Sequence, residues 1–348
     1  MPYTNIDDPS AYFQALAYTA STATPSQTFT NDGNSDLKPD FLWIKNRAGW
    51  GSRDHMLFDS SRGVNKNLRS NSTTTEATDS YQTFNTDGFT VRSAFELAYS
   101  ATYVAWQWKC NGGTTSSNTD GSITSTVQAN QDAGFSIVTY TAPSSSGNFT
   151  AGHGLGVKPA MVITKSRSAT GGWWTWHKDL AQPNYYIGLH STVAQAFEAN
   201  IWGAGFDTST IGLNVAASAQ ASQTYVAYCF AEKQGYSKFG KYTGNGSPNG
   251  PFIYTGFKPA FVIVKKSNNT GSWVINDSKR IGYNPNNYDL YANLGAAEED
   301  NDRFDLLSNG FKARSTSSPS NASGDTYIYM AFAENPFVTS TGIMGTAR

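Results

Sequence analysis

The sequence predicts an all-β protein of three tandem, homologous β-sandwich units, each about 100 residues long and of jelly-roll or immunoglobulin-like type. Three observations predict this fold class: an internal repeat, short apolar segments with strand periodicity, and frequent turn signals. The repeat is clearest in a Lys-Pro segment that closes on a second lysine, at 38–45, 158–165 and 258–265. A Thr-Tyr segment follows each copy at nearly constant distance, at 102–108, 224–230 and 326–332.

Each Lys-Pro segment reads as a buried strand. Phe41–Ile44 is a short apolar run bounded by polar residues, which is typical of a strand covered on both faces. Its leading Pro39 suits the first residue of a strand, where no ladder donor is needed. Residues 327–334 alternate between two faces with the period of a strand. Turn signals such as Asn31–Gly33 and Ser308–Gly310 separate these segments, and helical pattern is poor.

The repeat sets the predicted boundaries along the chain. The segments are an N-terminal arm (1–10), unit one (11–110), a linker (111–133), unit two (134–233), unit three (234–336) and a C-terminal tail (337–348). The linker is rich in Gly, Ser, Thr and Asn, so it is expected to be flexible or draped over the surface. Units two and three join almost directly and are expected to pack together.

Further residues are expected to be equivalent among the units. The tryptophans are Trp50, Trp173 and Trp273, and the aspartates are Asp59, Asp179 and Asp277. Cys110 and Cys229 stand at different distances from the repeated tyrosine, so no repeated geometry pairs them and both are expected to be free, buried thiols.

Composition excludes several classes of protein. The chain has 25 Lys and Arg against 26 Asp and Glu, and no basic run, so nucleic-acid binding is not expected. The longest apolar stretch, around 327–333, is only strand length, so membrane insertion is not expected. The first residues lack a signal-peptide pattern, so secretion by that route is not expected either.

Sites for catalysis, metals and cofactors are poorly represented. The sequence has no phosphate-binding Gly-rich loop, zinc-protease motif or serine-hydrolase elbow, so no catalytic residue, cofactor or metal is assigned. Asn31–Asp36 and Glu298–Asp302 are candidates for Ca²⁺, although a solvated turn is favoured at both. His177 near Asp179 could be half of an acid–base pair, but a packing role is favoured.

Aromatic residues provide the candidate binding surface. In 173–176 strand periodicity places Trp173 on one face, where a core position is favoured, and Trp174 and Trp176 on the other. Exposed tryptophans stack well on sugar rings. The candidate residues for binding a glycan or a partner are Trp174, Trp176, Tyr185 and Tyr186.

The two ends of the chain are the candidates for assembly. The residues assigned to this role are Tyr3, Ile6, Phe337 and Val338. A net charge near zero and many strand edges favour association, so a homo-oligomer, with a trimer as the leading case, is expected. The alternative is a monomer whose three units satisfy one another in a pseudo-threefold ring.

Several motifs carry a resemblance to a known group of proteins. They are Pro2–Gln14, Lys38–Arg47, Leu57–Gly63 and Tyr103–Lys109. In them the chain resembles proteins encoded by tailed phages of marine bacteria, including cyanobacteria, which carry copies of a largely uncharacterised repeat and are regarded as virion components. The third unit departs from the pattern at 292–299, which leaves open that the units face different partners.

The resemblance implies a setting rather than an activity, and it brings no catalytic residues. The expectation is a non-enzymatic virion surface protein made in the host cytoplasm, as a capsid decoration protein or a head or tail appendage such as a tail fiber. Its expected partners are other capsid or tail proteins. The alternative is a receptor-binding, lectin-like tail module for host surface glycans, and a polysaccharide hydrolase is a distant third.

Overall fold

A computed structural model describes residues 3–21, 26–49, 51–78, 82–92, 100–280, 284 and 286–344. The predicted all-β fold class is confirmed, because helix in these residues is limited to α1 (Ser318–Asn321) and one 3-10 turn (Pro9–Ala11). The strands of the first part are β1 (Phe13–Ala20), β2 (Ser26–Phe29), β3 (Phe41–Ala48), β4 (Met56–Asp59), β5 (Lys66–Leu68), β6 (Ala77–Thr78), β7 (Gln82–Phe84), β8 (Phe89–Arg92) and β9 (Ala101–Trp108).

The remaining strands follow in two further groups. The middle group is β10 (Ser116–Asn118), β11 (Ser125–Asn130), β12 (Phe135–Thr141), β13 (Gly147–Gly152), β14 (Met161–Ser166), β15 (Trp173–His177), β16 (Tyr185–Gly188), β17 (Ala196–Phe197), β18 (Thr210–Val215) and β19 (Thr224–Phe230). The last group is β20 (Ser237–Thr243), β21 (Phe252–Tyr254), β22 (Phe257–Lys266), β23 (Trp273–Asp277), β24 (Asn286–Tyr291), β25 (Glu299–Leu307), β26 (Gly310–Ala313) and β27 (Thr326–Pro336).

These strands form three large antiparallel sheets, called here the first, second and third main sheets. Their strand orders are β1-β9-β3-β4-β5-β6, β10-β11-β12-β19-β14-β15-β16-β17 and β20-β27-β22-β23-β24-β25-β26-β21. The three Lys-Pro segments run into β3, β14 and β22, which lie centrally in these sheets because their apolar runs need cover on both faces.

The registers of the main sheets provide a common frame. Phe41, Met161 and Phe261 pair on one side with Trp108, Phe230 and Phe332. On the other side they pair with Asp59, His177 and Asp277. Positions that share such pairings are called corresponding positions below.

The inner faces of the three main sheets meet in one central apolar core. Trp108, Phe230 and Phe332 form a triangle there, with ring centroids 5.6, 5.9 and 6.4 Å apart. On its outer face, the first main sheet packs against a small sheet of order β2-β8-β7, and the second packs against the pair β13-β18. The arrangement is β-sandwich-like around the first two main sheets, while in the third the small sheet is continuous with the main one.

Residues 111–133, assigned to a linker from the sequence, carry regular structure instead. They contain β10 and β11, and β11 pairs with β12 along five residues of the second main sheet. Gln128 on β11 is fully buried. The Gly, Ser, Thr and Asn content that suggested a linker is tolerated here because β10 lies at the outer edge of the sheet and its side chains are largely exposed.

Candidate functional site

Several buried polar side chains lie where two of the main sheets meet. Each of these three boundaries between main sheets is called a joint. Lys45, Lys165 and Lys265 occupy corresponding positions at the far ends of β3, β14 and β22, and all three are fully buried. Each Nζ donates to the carbonyl of its own next residue, at 2.8–3.0 Å. Each also donates across a joint, over 3.2 Å, to the carbonyls of Gly295, Thr73 and Thr192 respectively.

The lysine contacts run in one direction around the three sheets. The first sheet reaches the third, the second reaches the first, and the third reaches the second. Burial lowers the pKa of Lys165 to about 8 and that of Lys265 to about 7, because desolvation disfavours the ammonium form. Carbonyl acceptors compensate a buried ammonium only in part.

A second set of side chains makes one hydrogen bond across each of the three joints, in the same order as the lysines. His55, Trp173 and Trp273 occupy corresponding positions. Trp173 pairs with Lys165 and Trp273 with Lys265. His55 lies opposite Lys45, one step beyond the pair of Ile44 with Met56. Their ring nitrogens bond the carbonyls of Tyr291, Arg69 and Gly188 in the neighbouring sheet, at 2.8–2.9 Å. The sequence assigned Trp50 to this place; the register assigns His55 instead, and Trp50 lies outside the described residues.

His55 is held as a neutral donor. Its Nδ1 accepts from the indole of Trp43 at 2.8 Å, so the proton lies on Nε2, which faces the Tyr291 carbonyl. Burial, together with the charge of Lys45, depresses the pKa of His55 well below its usual range. The ring therefore serves as a neutral hydrogen-bond bridge rather than an acid–base group at neutral pH.

The joint between the first and second main sheets contains a buried ion network. Arg62 bonds the Asp59 carboxylate and donates to Glu76 at 3.0 Å. Arg167, from the second sheet, donates two bonds of 3.0 Å to the same Glu76. The hydroxyl of Tyr228 donates to Asp59 at 2.7 Å. The charged partners thus satisfy one another, with Asp59 and Arg62 fully buried and Arg167 partly exposed at the rim.

The joint between the third and first main sheets repeats this network. Arg280 donates to Asp277 at 2.7 Å and lies 3.6 Å from Glu298. Arg47, from the first sheet, donates two bonds of 2.9 Å to Glu298. The indole of Trp106, at the position corresponding to Tyr228, donates to Asp277 at 3.0 Å.

The joint between the second and third main sheets has the same backbone contacts but no such ions. The corresponding residues here are His177, Leu180, Gln195 and Ser267. The backbone N–H of Gln195 donates to the Ser267 carbonyl at 2.8 Å. The backbone N–H groups of Glu76 and Glu298 donate in the same way to the carbonyls of Arg167 and Arg47. The sequence matched Asp179 with Asp59 and Asp277; this is corrected, because His177 holds that register position and Asp179 lies two residues beyond it.

His177 forms no acid–base pair with the Asp179 carboxylate. Its Nδ1 accepts from the backbone N–H of Asp179 at 3.1 Å, and its Nε2 faces the Tyr329 carbonyl at 3.1 Å. Burial lowers the pKa of His177 to about 3, so the ring is neutral across the physiological range.

The predicted aromatic surface is only partly exposed. Trp176 is 5% exposed and stacks on Phe206 at 4.2 Å, so its assignment to an exposed face is corrected. Trp174 is half-buried and meets Tyr186 edge to face at 4.9 Å, while Tyr185 packs against the central core. Because β15 alternates its faces, Trp173 enters the central core and Trp174 faces outward.

Trp174 lines a groove of about 420 Å³ in the second main sheet. Its other walls include Gly171, Ser218, Gln220 and the small residues around Ala217. The corresponding region of the third sheet holds α1, where Ser318 bonds Lys266 and Tyr327. The shorter connection between β18 and β19 leaves the groove open.

The residues assigned to assembly contact one another within the chain. The Tyr3 hydroxyl donates to the Gly256 carbonyl at 2.7 Å, and its ring meets Phe337 at 6.5 Å. Ile6 is buried in the central core and Val338 bridges to Met344. Arm and tail are also linked by Asp7, whose carboxylate accepts from the hydroxyl of Ser340 and, at 2.6 Å, from its backbone N–H; these two bonds lower the pKa of Asp7.

The calcium candidates and the cysteines have other roles. Asp32 pairs with Lys279 at 2.9 Å and Glu298 is bound by Arg47. Across the part of the chain that the structure describes, no group of three or more His, Cys, Asp and Glu side chains could hold a metal ion. Cys110 and Cys229 are free, buried thiols, in agreement with the sequence prediction. No helix among the described residues is long and apolar enough to cross a bilayer.

A comparison with protein-family models gives one result that spans the chain. The model described as "Domain of unknown function (DUF7483)" matches residues 8–336. The chain belongs to this family. No curated protein and no solved structure matches the chain. The matched range includes the strands of all three main sheets.

Sequence reasoning missed the joint networks of this family member. A usable signal was present: Asp59 and Arg62, and Asp277 and Arg280, have the same three-residue spacing just after corresponding strands. Their partners Glu76 and Glu298 lie in the stretch where the third unit departs from the first, so no motif linked them.

Proposed function

We propose that this chain is a non-enzymatic structural protein of a phage virion surface, either a capsid decoration protein or a head or tail appendage. It is made of three repeated β-sandwich units that surround a pseudo-threefold axis and act as one rigid body. The virion setting rests on the motif resemblance of the sequence. The structural role rests on the joints.

The repeat proposal is supported by register and not only by sequence motifs. Lys45, Lys165 and Lys265 are related by constant positions in three sheets, and each makes the same pair of carbonyl contacts. The aromatic triangle of Trp108, Phe230 and Phe332 lies where a threefold axis would pass. Related units that pack cyclically satisfy one another's surfaces, as subunits do in a ring.

One observation carries the structural role: residue types that often perform chemistry are committed to the joints. The imidazoles of His55 and His177 are buried, and each donates from Nε2 to one backbone carbonyl of the neighbouring sheet. Asp59 and Asp277 are neutralised by arginines and accept from aromatic donors. These groups are positioned to hold sheets together, which suits a durable external component.

The virion proposal is tested on purified particles of a phage that encodes the chain. Quantitative mass spectrometry is expected to find the chain at a fixed copy number per particle, and immunogold labelling is expected to mark one location on the head or tail. A major capsid protein of known copy number serves as the internal standard. Abundant chain in the infected lysate but none in purified particles would contradict the proposal.

A second candidate function is binding of host surface glycans. It is favoured by the groove beside Trp174, whose walls include this half-buried indole and the exposed residue Gln220. Aromatic faces and small polar groups suit a sugar ring. Trp174→Ala is expected to abolish binding of purified host polysaccharide, whereas Tyr254→Ala, at a 52% exposed site elsewhere, is expected to leave it unchanged. Equal binding by both variants would contradict this candidate.

A polysaccharide hydrolase remains the third proposal. It would require two carboxylates beside a cleft. Release of reducing sugar from host polysaccharide by the purified chain would support it, and none would be released by a binding module.

A further inference from the structure

Two adjoining cavities on the second main sheet form one open groove that is lined by lysines. Their volumes are about 530 and 420 Å³, and the walls of both include Lys158, Trp176 and Lys178. The larger cavity extends to Lys233 and the smaller one to Phe206. This surface is called the lysine groove below.

The lysine groove is positively charged on a chain whose net charge is −1. Its walls contain Lys158, Lys178 and Lys233, and Glu232 is the one acidic residue among the lining residues. His177 also contributes to the wall, but burial lowers its pKa to about 3 and the ring is neutral at neutral pH. Three lysines against one glutamate leave two positive charges in excess.

The single carboxylate of the groove is already neutralised. One oxygen of Glu232 accepts from Lys178 at 2.8 Å, and the other accepts from Lys238 on the edge strand β20. Lys158 and Lys233 are therefore left without an ion pair among the described residues. Their ammonium groups supply the uncompensated charge of the groove.

The same four positions are less basic in the other two main sheets. The N–H of Lys178 donates to the Ala160 carbonyl, and the residues at the corresponding places repeat this bond. In the third main sheet the positions of Lys158, Lys178, Glu232 and Lys233 are taken by Lys258, Ser278, Glu334 and Asn335. In the first main sheet they are taken by Lys38, Ser60, Cys110 and Asn111. An excess of two positive charges is thus specific to the second main sheet.

Lys158 is positioned by an aromatic ring instead of a carboxylate. Its Nζ lies 5.6 Å from the ring centroid of Trp176, within the range of a cation–π contact. Phe206 stacks on the same indole, which fixes the ring beneath the lysine. The corresponding Lys258 pairs with Glu334 at 2.9 Å. Lys158 is exposed, and its ammonium carries three N–H donors that can reach a ligand.

We propose that the lysine groove binds an acidic polysaccharide, whose carboxylate or sulfate groups lie at Lys158 and Lys233. A cleft with charges of one sign raises the local concentration of ligands of the opposite sign. The combined length of two cavities suits a chain of sugar units better than a single ion. The lysine groove shares no lining residue with the groove beside Trp174. The proposal therefore depends neither on glycan binding at Trp174 nor on the virion setting.

A saccharide is favoured over an extended peptide by the backbone around the groove. The lining residues lie in loops and in β15, which is paired on its two sides with β14 and β16. A peptide that binds by strand addition needs a free strand edge. The groove offers side-chain ammonium groups instead, and these recognise acid groups.

The test uses three polymers with one backbone and different charge: dextran sulfate, carboxymethyl-dextran and unmodified dextran of the same length. Titration calorimetry with the intact chain is expected to show saturable binding of at least one acidic polymer and no binding of unmodified dextran. The tighter acidic polymer identifies the acid group as sulfate or carboxylate. Binding is expected to weaken as salt is added, because salt screens charge attraction at an exposed surface.

Three results with these polymers would overturn the proposal. They are no binding of either acidic polymer, equal binding of unmodified dextran, and tighter binding of poly-L-glutamate than of both acidic dextrans. The last result would assign the groove to an acidic peptide.

Two double variants of equal charge localise the binding. Lys158→Gln with Lys233→Gln is expected to weaken it by about tenfold, because two exposed charged contacts of modest strength are lost. Lys38→Gln with Lys66→Gln removes the same charge from the first main sheet and is expected to leave binding unchanged. Equal weakening in both double variants would overturn the proposal, since binding would then follow net charge rather than this groove.

A further pair of variants changes binding in the opposite direction. Glu232→Gln releases Lys178 and Lys238 from their carboxylate and is expected to strengthen binding by about threefold. Glu334→Gln, at the corresponding place in the third main sheet, is expected to leave it unchanged. Weaker binding by Glu232→Gln, with an unchanged thermal unfolding midpoint, would overturn the assignment of the ligand to the lysines of this groove.

Discussion

Trp106 donates its indole N–H to the carboxylate of Asp277 over 3.0 Å, across a joint between the first and third main sheets. Tyr228 and Asp59 form the corresponding contact at the next joint, over 2.7 Å. At the remaining joint the donor position is Met330, which has no N–H or O–H group, and the acceptor position is His177. His177 instead supplies the donor itself, to the Tyr329 carbonyl. The loss of a donor at Met330 is thus accompanied by the replacement of the acceptor carboxylate with a histidine that donates.

The ion network at the first joint is expected to be strongly coupled. Arg62→Leu leaves the carboxylates of Asp59 and Glu76 buried with fewer cationic partners, which is expected to lower the free energy of unfolding by about 3–5 kcal/mol. Urea unfolding followed by tryptophan fluorescence measures the change. Arg69→Leu removes a partly exposed ion pair with Asp54 and is expected to cost about 1 kcal/mol, well below the loss at Arg62.

A combined variant distinguishes coupling from simple loss of packing. Arg62→Leu with Asp59→His, Glu76→Gln and Arg167→Ser reproduces the residue types at the corresponding positions of the joint between the second and third main sheets, which are His177, Gln195, Leu180 and Ser267. Because the buried charges are removed together, this variant is expected to be more stable than Arg62→Leu alone. Additive losses from the four substitutions would contradict coupling.

His177 is expected to make the protein sensitive to acid. Its pKa is about 3 in the folded chain and about 6.5 when exposed, so the unfolded chain binds more protons between these values. Stability is therefore expected to fall as the pH falls from about 6.5 towards 3, by up to about 1.4 kcal/mol per pH unit for this one group. His177→Gln is expected to reduce the slope of unfolding free energy against pH, measured in urea between pH 4 and 7. An unchanged slope would show that the ring is accessible to protons in the native fold.

Lys265 is expected to make the stability of the fold depend on pH in the alkaline range. Its pKa is about 7 in the folded chain against about 10.4 when exposed, so the unfolded chain again binds more protons between these values. Stability is expected to rise with pH above 7, until the buried tyrosines reverse the trend near pH 10. Lys265→Met is expected to flatten this rise in urea midpoints between pH 7 and 9.5, whereas Lys241→Met, at an exposed lysine, is not. Because Lys165, with a pKa of about 8, contributes a similar rise, only part of it is expected to remain in Lys265→Met, and an undiminished rise would contradict this assignment.

The sequence predicted strands well where apolar runs repeat, and failed where tertiary contacts decide. The Lys-Pro segments become central strands because their apolar residues need cover on both faces. The tryptophan match failed in the first part of the chain, since His55 fills that position with a different ring but the same donor function. Residues 111–133 were misread because polar edge strands and linkers have the same composition. The joint networks depend on contacts more than 90 residues apart, such as that of Glu76 with Arg167, which no local pattern encodes.

Self-association is expected to depend on the tail. Arm and tail bind each other through Asp7 and Ser340, and this leaves Ile343 and Met344 exposed by 67% and 71%. Large apolar side chains this accessible, at the place where both ends of the chain meet, favour a contact with another copy. We expect light scattering at micromolar concentration to give three times the monomer mass of 37.7 kDa.

Ile343→Ser with Met344→Ser is expected to return the mass to that of the monomer, because both contact residues then favour water. Val193→Ser, at a site 60% exposed, removes a comparable apolar side chain far from the ends in sequence and is expected to leave the trimer intact. A monomer mass for the unmodified chain would instead support the alternative in which the three units already satisfy one another around their axis.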